Sequence, residues 1–281
     1  MALVTTALGR GQWLQPPMLE ELRHSSGALI LRSPLLASAG IPHAFATRIG
    51  GISSGPFASL NFGNPADCEN RDPPENIREN FRRLLDAAGC PGREVVEVHQ
   101  VHGCGVHSIT PGSPAHPGPS STKADAMVTA DPARVLAVRT ADCCPVLFAS
   151  PDGGHVAAAH AGWRGVASGI IPATVGALRC AGASDLIAAI GPCIGPDAFE
   201  VGPEVAAEFR RVFGPEAPVI ELRGRRPHVD LRRAILLQLR SSGLTRVDTS
   251  DHCTVRDRRL FFSHRRENGM TGRMASVIAP K

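Results

Sequence analysis

Hydrophobic and polar residues alternate with two different periods along this chain, and these periods separate predicted helices from predicted strands. Apolar residues recur at helical spacing in residues 73–88, 203–213 and 231–241, which predicts three amphipathic helices. A fourth helical pattern covers residues 165–180. Because proline cannot donate a backbone hydrogen bond, Pro172 is expected to kink this helix or delay its start.

Short apolar runs bounded by glycine, proline and aspartate predict the strands. They lie at residues 28–32, 41–47, 94–98, 106–109, 125–129, 135–138, 186–190 and 247–248, with further extended pieces at 59–63 and 261–262. Residues 1–25 show no sustained pattern and are expected to form a disordered tail. No linker or repeat divides the remainder, so we predict that residues 26–281 form a single α+β domain.

The clearest local pattern is a predicted β-hairpin with reactive side chains at its open end. An apolar run, a Pro-Asp-Gly-Gly turn and a returning apolar run occupy residues 145–159. A turn centred between Pro151 and Asp152 would set Cys143 directly opposite His160. Directly opposed residues have Cβ atoms about 4.5–5.5 Å apart. A thiolate and an imidazole at that distance could share a metal ion, or act as nucleophile and base.

A third metal ligand must come from elsewhere, and His102 is the best candidate. It ends a predicted strand in a Gln-Val-His-Gly turn, where packing alone gives little reason for a histidine. A set of His102, Cys143 and His160 suits zinc, with copper as a competitor, and leaves a fourth position for water. A water so held has a pKa of about 7. Asp142, the nearest carboxylate in sequence, is a candidate to move protons.

Arginines near glycine-rich turns are candidates to bind an anion such as phosphate. Arg48 precedes a Gly-Gly pair, and Arg164 lies at the start of a predicted helix. Stacking of Arg164 on Trp163 is an equal alternative for that side chain. Arg265, in the Ser-His-Arg-Arg segment near the C-terminus, is a third candidate.

Composition narrows the possible partners. A net charge of +4 over 281 residues does not require a nucleic-acid or acidic-membrane partner. Tyrosine is absent, which argues against a surface on which bases stack, and no apolar run approaches the roughly 20 residues of a membrane span. The eight cysteines include no C-x-x-C pair. We expect a cytoplasmic protein that acts on small molecules, and its oligomeric state stays open.

At these motifs the chain resembles the YfiH-type family, also called the laccase-domain or multicopper polyphenol oxidase-like family. The matching segments follow the family's order from residue 47 to the C-terminus. They are T-R-I-G-G (47–51), S-L-N-F-G (59–63), Q-V-H-G (100–103), A-D-A-M-V-T (124–129), T-A-D-C-C-P-V-L (140–147), A-H-A-G-W-R-G (159–165), G-P-C-I-G-P-D-A-F-E-V-G (191–202) and F-S-H-R-R…T-G-R-M-A-S (262–276). Asn61, within S-L-N-F-G, joins the three arginines as a candidate substrate ligand.

The resemblance implies a single domain of mixed β-sheets sandwiched by helices, as in YfiH/CNF-like cysteine hydrolases. It also implies a zinc bound by His102, Cys143 and His160. The implied activity is phosphorolysis of adenosine, inosine and methylthioadenosine, with adenosine deaminase activity besides. Nucleoside and phosphate are thus the expected partners. The chain departs from the family pattern in a Pro-rich insertion at residues 111–122 and in a second cysteine, Cys144.

Two alternative functions stay open. Cys143 and His160 could instead form a nucleophilic hydrolase that acts on an amide in a cell-wall peptide, which would fit the peptidoglycan-editing role described for the family. Copper-dependent phenol oxidation is the other alternative. It is disfavoured because a multicopper enzyme that reduces oxygen by four electrons would need many more histidine ligands than one three-ligand site supplies. The chain also has no His-x-His pair.

Overall fold

A computed structural model of the chain describes residues 17–66, 68–110, 112, 121–221 and 223–281. The strands are β1 (Glu20–Arg23), β2 (Leu29–Arg32), β3 (His43–Ala46), β4 (Glu94–Val96), β5 (Val106–Ile109), β6 (Ala126–Thr129), β7 (Arg134–Thr140), β8 (Cys144–Ala149), β9 (Val156–Ala161), β10 (Ile187–Ile190), β11 (Val219–Ile220), β12 (His228–Val229), β13 (Val247–Thr249) and β14 (Met274–Ile278). The helices are α1 (Pro34–Ser38), α2 (Pro74–Ala88), α3 (Trp163–Ala167), α4 (Ile170–Cys180), α5 (Pro203–Phe213) and α6 (Leu231–Ser241).

Within these ranges the strands form two six-stranded mixed sheets and one two-stranded sheet. The first sheet has the order β1-β2-β3-β14-β7-β4, and the second has the order β13-β10-β8-β9-β6-β5. Parallel pairs join β4 to β7, β5 to β6 and β10 to β13, whereas the other pairs are antiparallel. The fold is therefore the α+β arrangement of mixed sheets that the sequence predicts.

The two large sheets pack face to face, and helices cover their outer faces. Between the sheets lies an apolar cluster that includes Phe45 of β3 and Leu147 of β8. A second cluster joins Val146 and Phe148 of β8 to helices α4, α5 and α6, and a third joins the outer face of the first sheet to α2 through Leu84. Strand β8 is thus buried on both faces, which explains its uninterrupted apolar run.

The helical periods predicted most of the helices correctly. Helices α5 and α6 match the predicted ranges, and α2 begins one residue later than predicted. The fourth pattern divides into α3 and α4 at Gly169, whose φ of 87° breaks the helix. Pro172 lies in the first turn of α4, where its missing N–H costs little. Of the two expectations for Pro172, a kink or a late helix start, the structure shows a helix that starts late, at Ile170. None of the described helices is long and apolar enough to cross a membrane.

The prediction of a tail over residues 1–25 is wrong for its last part. Residues 1–16 lie outside the described residues, but β1 pairs with β2 in antiparallel register and closes one edge of the first sheet. Every residue of β1 is exposed, so backbone hydrogen bonds rather than apolar burial hold it there. A strand without an apolar face leaves no hydrophobic pattern to detect. Residues 111 and 113–120 of the Pro-rich insertion also lie outside the described part of the chain.

The predicted hairpin forms from β8 and β9, but its register differs from the prediction. Pro145, not Cys143, is the partner of His160, because the turn is centred between Asp152 and Gly153. Ser150 closes the loop of residues 151–154 by donating its N–H to the carbonyl of residue 155, and Gly153 adopts a φ of 81°. Residues two apart on a strand share a face, so Cys143 and His160 become diagonal neighbours on the same face.

Gly191 marks a close contact between the two sheets and provides a test of the packing. A Cβ at Gly191 would lie 2.4 Å from a ring carbon of Phe45 and 2.7 Å from Pro145 Cγ, and Phe45 is fully buried. We expect Gly191→Ala to lower the free energy of unfolding by about 1–3 kcal/mol, because the closely packed core has no room for a methyl group. Denaturant titration measures the change.

The matched control is Gly176→Ala in the interior of α4. Apart from its chain neighbours and the backbone of its own helix, no described atom lies within 4 Å of a Cβ at this exposed position. Alanine there should raise the free energy of unfolding by about 0.5–1 kcal/mol, since it restricts the unfolded chain without a clash. Equal stabilities for the two variants would contradict the described sheet packing.

Candidate active site

Three residues far apart in sequence meet where strands β8 and β9 of the second sheet reach the open end of their hairpin: His102, Cys143 and His160. His160 lies on β9, Cys143 directly precedes β8, and His102 lies in the turn between β4 and β5. One potential ligand atom from each residue lies within 4.8 Å of the other two. The two imidazole rings are 4.8 Å apart between centroids and nearly perpendicular, at 81°. The structure therefore brings together the three residues that the sequence analysis selected.

Gly162 makes room for this cluster. In the observed register Gly162 lies beside Cys143, one pair beyond the end of the hairpin ladder. A Cβ at Gly162 would lie 3.0 Å from the Cys143 sulfur and 3.1 Å from Cδ2 of His102. Any larger residue would push against two of the three potential ligands. The glycine of the His-Ala-Gly-Trp-Arg-Gly segment thus serves the close approach of these side chains.

Asp125 organises the cluster, although the sequence analysis did not identify it. Its carboxylate accepts a hydrogen bond of 2.9 Å from Nδ1 of His160, and it also accepts the backbone N–H groups of Val101, His102 and Gly103 at 3.2, 2.8 and 2.7 Å. These bonds hold His102 at a φ of 61°, a conformation that residues with side chains rarely adopt. A fully buried aspartate requires such partners. The signal available in the sequence was an aspartate among apolar residues, at the start of a predicted strand.

The electrostatics of the cluster favour a thiolate beside a protonated imidazole. Burial alone would raise the pKa of Cys143, but the charge of His160 and hydrogen bonds from both histidines lower it to about 6. Burial would lower the pKa of His160, but the Cys143 thiolate and the bond to Asp125 raise it to about 9. Burial would likewise raise the pKa of Asp125, and hydrogen bonds from His160 and backbone N–H groups lower it instead. The thiolate is the form that binds metals and attacks carbonyl carbons.

The donor set fits a metal ion such as zinc or copper. Two imidazoles and one thiolate satisfy the preference of these metals for nitrogen and sulfur, and three protein ligands leave one position open. The bond from Asp125 to Nδ1 of His160 leaves Nε2 of that ring for a metal. A carboxylate is a typical hydrogen-bond partner of a metal-binding histidine, because it fixes the tautomer and the orientation of the ring.

Asp142, the predicted proton-transfer group, lines the cavity and is hydrogen-bonded to two loops at its rim. Its two carboxylate oxygens accept hydrogen bonds from the hydroxyl of Thr254 at 2.6 Å and from the backbone N–H of Arg265 at 2.7 Å. Its backbone carbonyl accepts the N–H of Ile194 at 2.9 Å, and its own φ is 89°. Asp142 therefore anchors two loops at the rim of the site. Its side chain is committed to these loops.

The cluster opens into a cavity of about 570 Å³. This volume lies within the range of about 300–1,000 Å³ typical of sites for small ligands. Both large sheets and the C-terminal segment contribute to its wall, and so do the apolar side chains of Ile194, Phe199 and Leu231. The cationic or titratable nitrogen-bearing side chains in the wall, besides the two histidines of the cluster, are those of His99, Arg139, Arg164, His264, Arg265 and Arg273.

Two predicted substrate ligands line this cavity. Arg164 is exposed and stacks on Trp163, with its guanidinium carbon 4.5 Å from the ring centroid, so the structure shows the alternative contact. The guanidinium of Arg265 donates to the carbonyl oxygens of Ala198 and Glu200, at 3.3 and 3.0 Å. Both arginines thus have internal partners while they border the open space.

The other two predicted substrate ligands are not among the described residues that line the cavity. Nε of Arg48 donates to the carbonyl of Ala58 at 2.8 Å, and its guanidinium lies 4.4 Å from the centre of the Phe262 ring. Asn61 is fully buried and donates to the carboxylate of Asp72 at 2.9 Å. Local groups contact both side chains, and contact of Arg48 or Asn61 with substrate stays a prediction.

Fold and site together define a class of protein. It has two mixed sheets sandwiched by helices, and a His-Cys-His cluster at the base of a cationic cavity. Over residues 42–281 the chain matches the family described as multi-copper polyphenol oxidoreductase laccase, and it belongs to that family. The resemblance to the YfiH-type family noted in the sequence is confirmed.

Relatives and solved structures agree with this assignment. The chain is 40% identical over 255 residues to a protein of Deinococcus radiodurans named purine nucleoside phosphorylase. The aligned region covers 90% of this chain and 93% of that protein. It is also 40% identical over 239 residues to purine nucleoside phosphorylase YfiH of Escherichia coli, covering 85% and 93% of the two chains. The crystal structure of YlmD from Geobacillus stearothermophilus is similar at a TM-score of 0.80 and 35% identity, over 95% of this chain and all of that one.

The link from Asp125 through His160 to Cys143 can be tested by alkylation. In the presence of chelator, the rate at which iodoacetamide modifies Cys143 should rise through a midpoint near pH 6 and fall below it, where the thiol is protonated. In Asp125→Asn the midpoint should shift upward, because the imidazolium that stabilises the thiolate loses its charged partner. Peptide mass spectrometry separates Cys143 from the exposed thiols of Cys104 and Cys180.

The exposed thiol of Cys180 serves as the internal control. Its rate should be the same in the wild type and in Asp125→Asn. An unchanged Cys143 midpoint in the variant would contradict the role assigned to Asp125.

Proposed function

We propose that this chain is a zinc-dependent purine nucleoside phosphorylase, which acts on adenosine, inosine and methylthioadenosine. The observation that carries the proposal is the cluster of His102, Cys143 and His160 at the base of a cavity rich in guanidinium groups. The names of the relatives in Deinococcus radiodurans and Escherichia coli support it. Adenosine deamination at the same site is a second reaction within the proposal.

Phosphorolysis sets clear demands on such a site. The bond between ribose C1′ and the purine nitrogen breaks, its electron pair leaves on the purine, and a phosphate oxygen bonds to C1′. The proton of hydrogen phosphate ends on the released purine, which balances the reaction. Positive charge develops on the ribose and negative charge on the base, so the protein must fix phosphate on one side and stabilise the base on the other.

The residues of this chain can meet these demands. His102, Cys143 and His160 would hold the zinc, and when bound it would supply a Lewis acid that stabilises developing negative charge. Asp125 holds a proton on Nδ1 of His160 and fixes the backbone of the turn that presents His102. Arginine side chains in the cavity wall would bind phosphate, since a planar guanidinium matches two phosphate oxygens at once.

A thiol hydrolase is the second candidate, and one specific observation favours it. Asp125, His160 and Cys143 form a carboxylate–imidazole–thiol series in which the Cys143 pKa is lowered to about 6. This series is also the arrangement that activates a nucleophilic cysteine. In that case the thiolate would attack an amide carbonyl, as a peptidoglycan-editing reaction would require. Copper oxidation has less support, because the described residues contain a single three-ligand group.

Product analysis with and without phosphate separates these functions. With adenosine as substrate, we expect adenine and ribose 1-phosphate to form only when phosphate is present. Chelator or Cys143→Ala should lower the rate at least about a hundredfold, because loss of a ligand exceeds the 10–100-fold effect typical of its hydrogen-bonding partners. Chromatography of the bases and an enzymatic assay of ribose 1-phosphate measure both products.

Cys180→Ser is the matched control, since that thiol is exposed at the end of α4, and it should retain full activity. Phosphate-independent conversion of adenosine to inosine alone would show that deamination replaces phosphorolysis. Covalent labelling of Cys143 with activity that resists chelators would support the hydrolase and contradict the zinc-dependent proposal.

A further inference from the structure

Two arginines in the cavity wall lie on one face of the first sheet. Strands β7 and β14 pair in antiparallel register, and Arg139 is the partner of Ala275. Arg273 lies two residues before Ala275, directly before β14, and is therefore the diagonal neighbour of Arg139 on the same face. Diagonal neighbours about 7–8 Å apart are within reach of long side chains. Both side chains line the cavity that contains Cys143.

The positive charge of this pair is only partly compensated. Nε of Arg139 lies 3.0 Å from a carboxylate oxygen of Glu97. The guanidinium of Arg273 donates to the carbonyl oxygens of Thr271 and Gly272, at 2.8 and 3.1 Å, and no described carboxylate lies within 4.0 Å of it. Burial and the charge of Arg139 lower the pKa of Arg273, and the charges of Cys143 and Asp142 only partly oppose this shift. Glu97 is the one described carboxylate in ion-pair contact with the two half-buried guanidinium groups, and the carboxylate oxygens of Asp142 accept hydrogen bonds from Thr254 and Arg265 instead. The two cations therefore keep donors for an anion.

Neighbouring polar groups hold both arginines in place. The side-chain amide of Gln100 forms two hydrogen bonds with the backbone of Arg139, at 2.8 and 2.9 Å, and so ties it to the turn that presents His102. Oδ1 of buried Asn61 accepts the backbone N–H of Arg273 at 2.8 Å and that of Gly63 at 3.1 Å. Gly63 in turn approaches Arg139 so closely that a Cβ there would lie 2.8 Å from the guanidinium.

We propose that Arg139 and Arg273 form the phosphate subsite of the cavity, and this inference rests on the proposed phosphorolysis. A phosphate between the two guanidinium groups would accept paired hydrogen bonds beside the His102–Cys143–His160 cluster. Its attacking oxygen would face the open space where the ribose binds. Arg164 and Arg265 are exposed at the rim and have other partners. Asn61 is a positioning residue that acts through Arg273.

Replacement of each arginine tests the subsite. In Arg139→Met and Arg273→Met the KM for inorganic phosphate should rise about tenfold or more, the loss expected for a charge-assisted hydrogen bond. The KM for the nucleoside should change less than about twofold, and Arg273→Lys should recover part of the loss. Since Arg139→Met leaves Glu97 buried without its partner, the double variant Arg139→Met/Glu97→Gln keeps the test valid if the single variant fails to fold.

Arg211→Met is the matched control. It removes a guanidinium from the exposed surface of α5, where Arg211 pairs with Glu208, so it changes the net charge equally without touching the cavity. The KM for phosphate should not change in this variant. An active enzyme whose KM for phosphate is unaltered in both cavity variants would overturn the subsite.

A binding measurement separates this inference from the proposed function. Inorganic phosphate should raise the Tm of the full chain, and the rise should disappear in Arg273→Met. If the wild type catalyses no phosphorolysis but this pattern holds, the proposed function fails and the anion subsite stands. If phosphate does not raise the Tm of the wild type, or raises that of Arg273→Met equally, the subsite is wrong.

Discussion

The buried carboxylate of Asp125 is the interaction on which the site depends. It accepts the ring N–H of His160 and the backbone N–H of His102, while its own backbone carbonyl accepts the N–H of His160 at 2.7 Å. One residue directly before β6 thus sets the tautomer of one potential ligand and the backbone conformation of another. Cys143 needs no such bond, because the hairpin already places it diagonally across from His160. The geometry of the cluster follows from these two constraints.

The two sheets divide the chemistry of the cavity between them. The second sheet carries Cys143 and His160 at the open end of the β8–β9 hairpin, and the first sheet carries Arg139 and Arg273 at the ends of β7 and β14. His102 lies in the turn that joins β4 of the first sheet to β5 of the second. Since β7 leads directly through Asp142 and Cys143 into β8, the chain passes from one sheet to the other beside the cluster. Close packing at Gly191 then fixes the sheets relative to each other. The function proposed above requires both halves.

Sequence patterns predicted the elements with strong periodicity and the three potential metal ligands, His102, Cys143 and His160, which the structure brings together. The hairpin register was wrong by two residues, yet Cys143 and His160 stay on one face because a strand repeats every two residues. Asp125 was missed because its partners, three backbone amides and a ring nitrogen, come from distant segments. For Arg48 and Asn61, the motif does not show whether a polar side chain faces a cavity or a buried network. Strand β1 was not predicted because it has no apolar face.

X-ray absorption at the zinc edge of the metal-loaded protein tests the central claim most directly. We expect one sulfur at about 2.3 Å and two histidine nitrogens at about 2.0–2.1 Å, with one further light atom. The sulfur shell should be lost in Cys143→Ser and retained in Cys180→Ser. A wild-type spectrum without a sulfur shell, or one that Cys143→Ser leaves unchanged, would contradict the account.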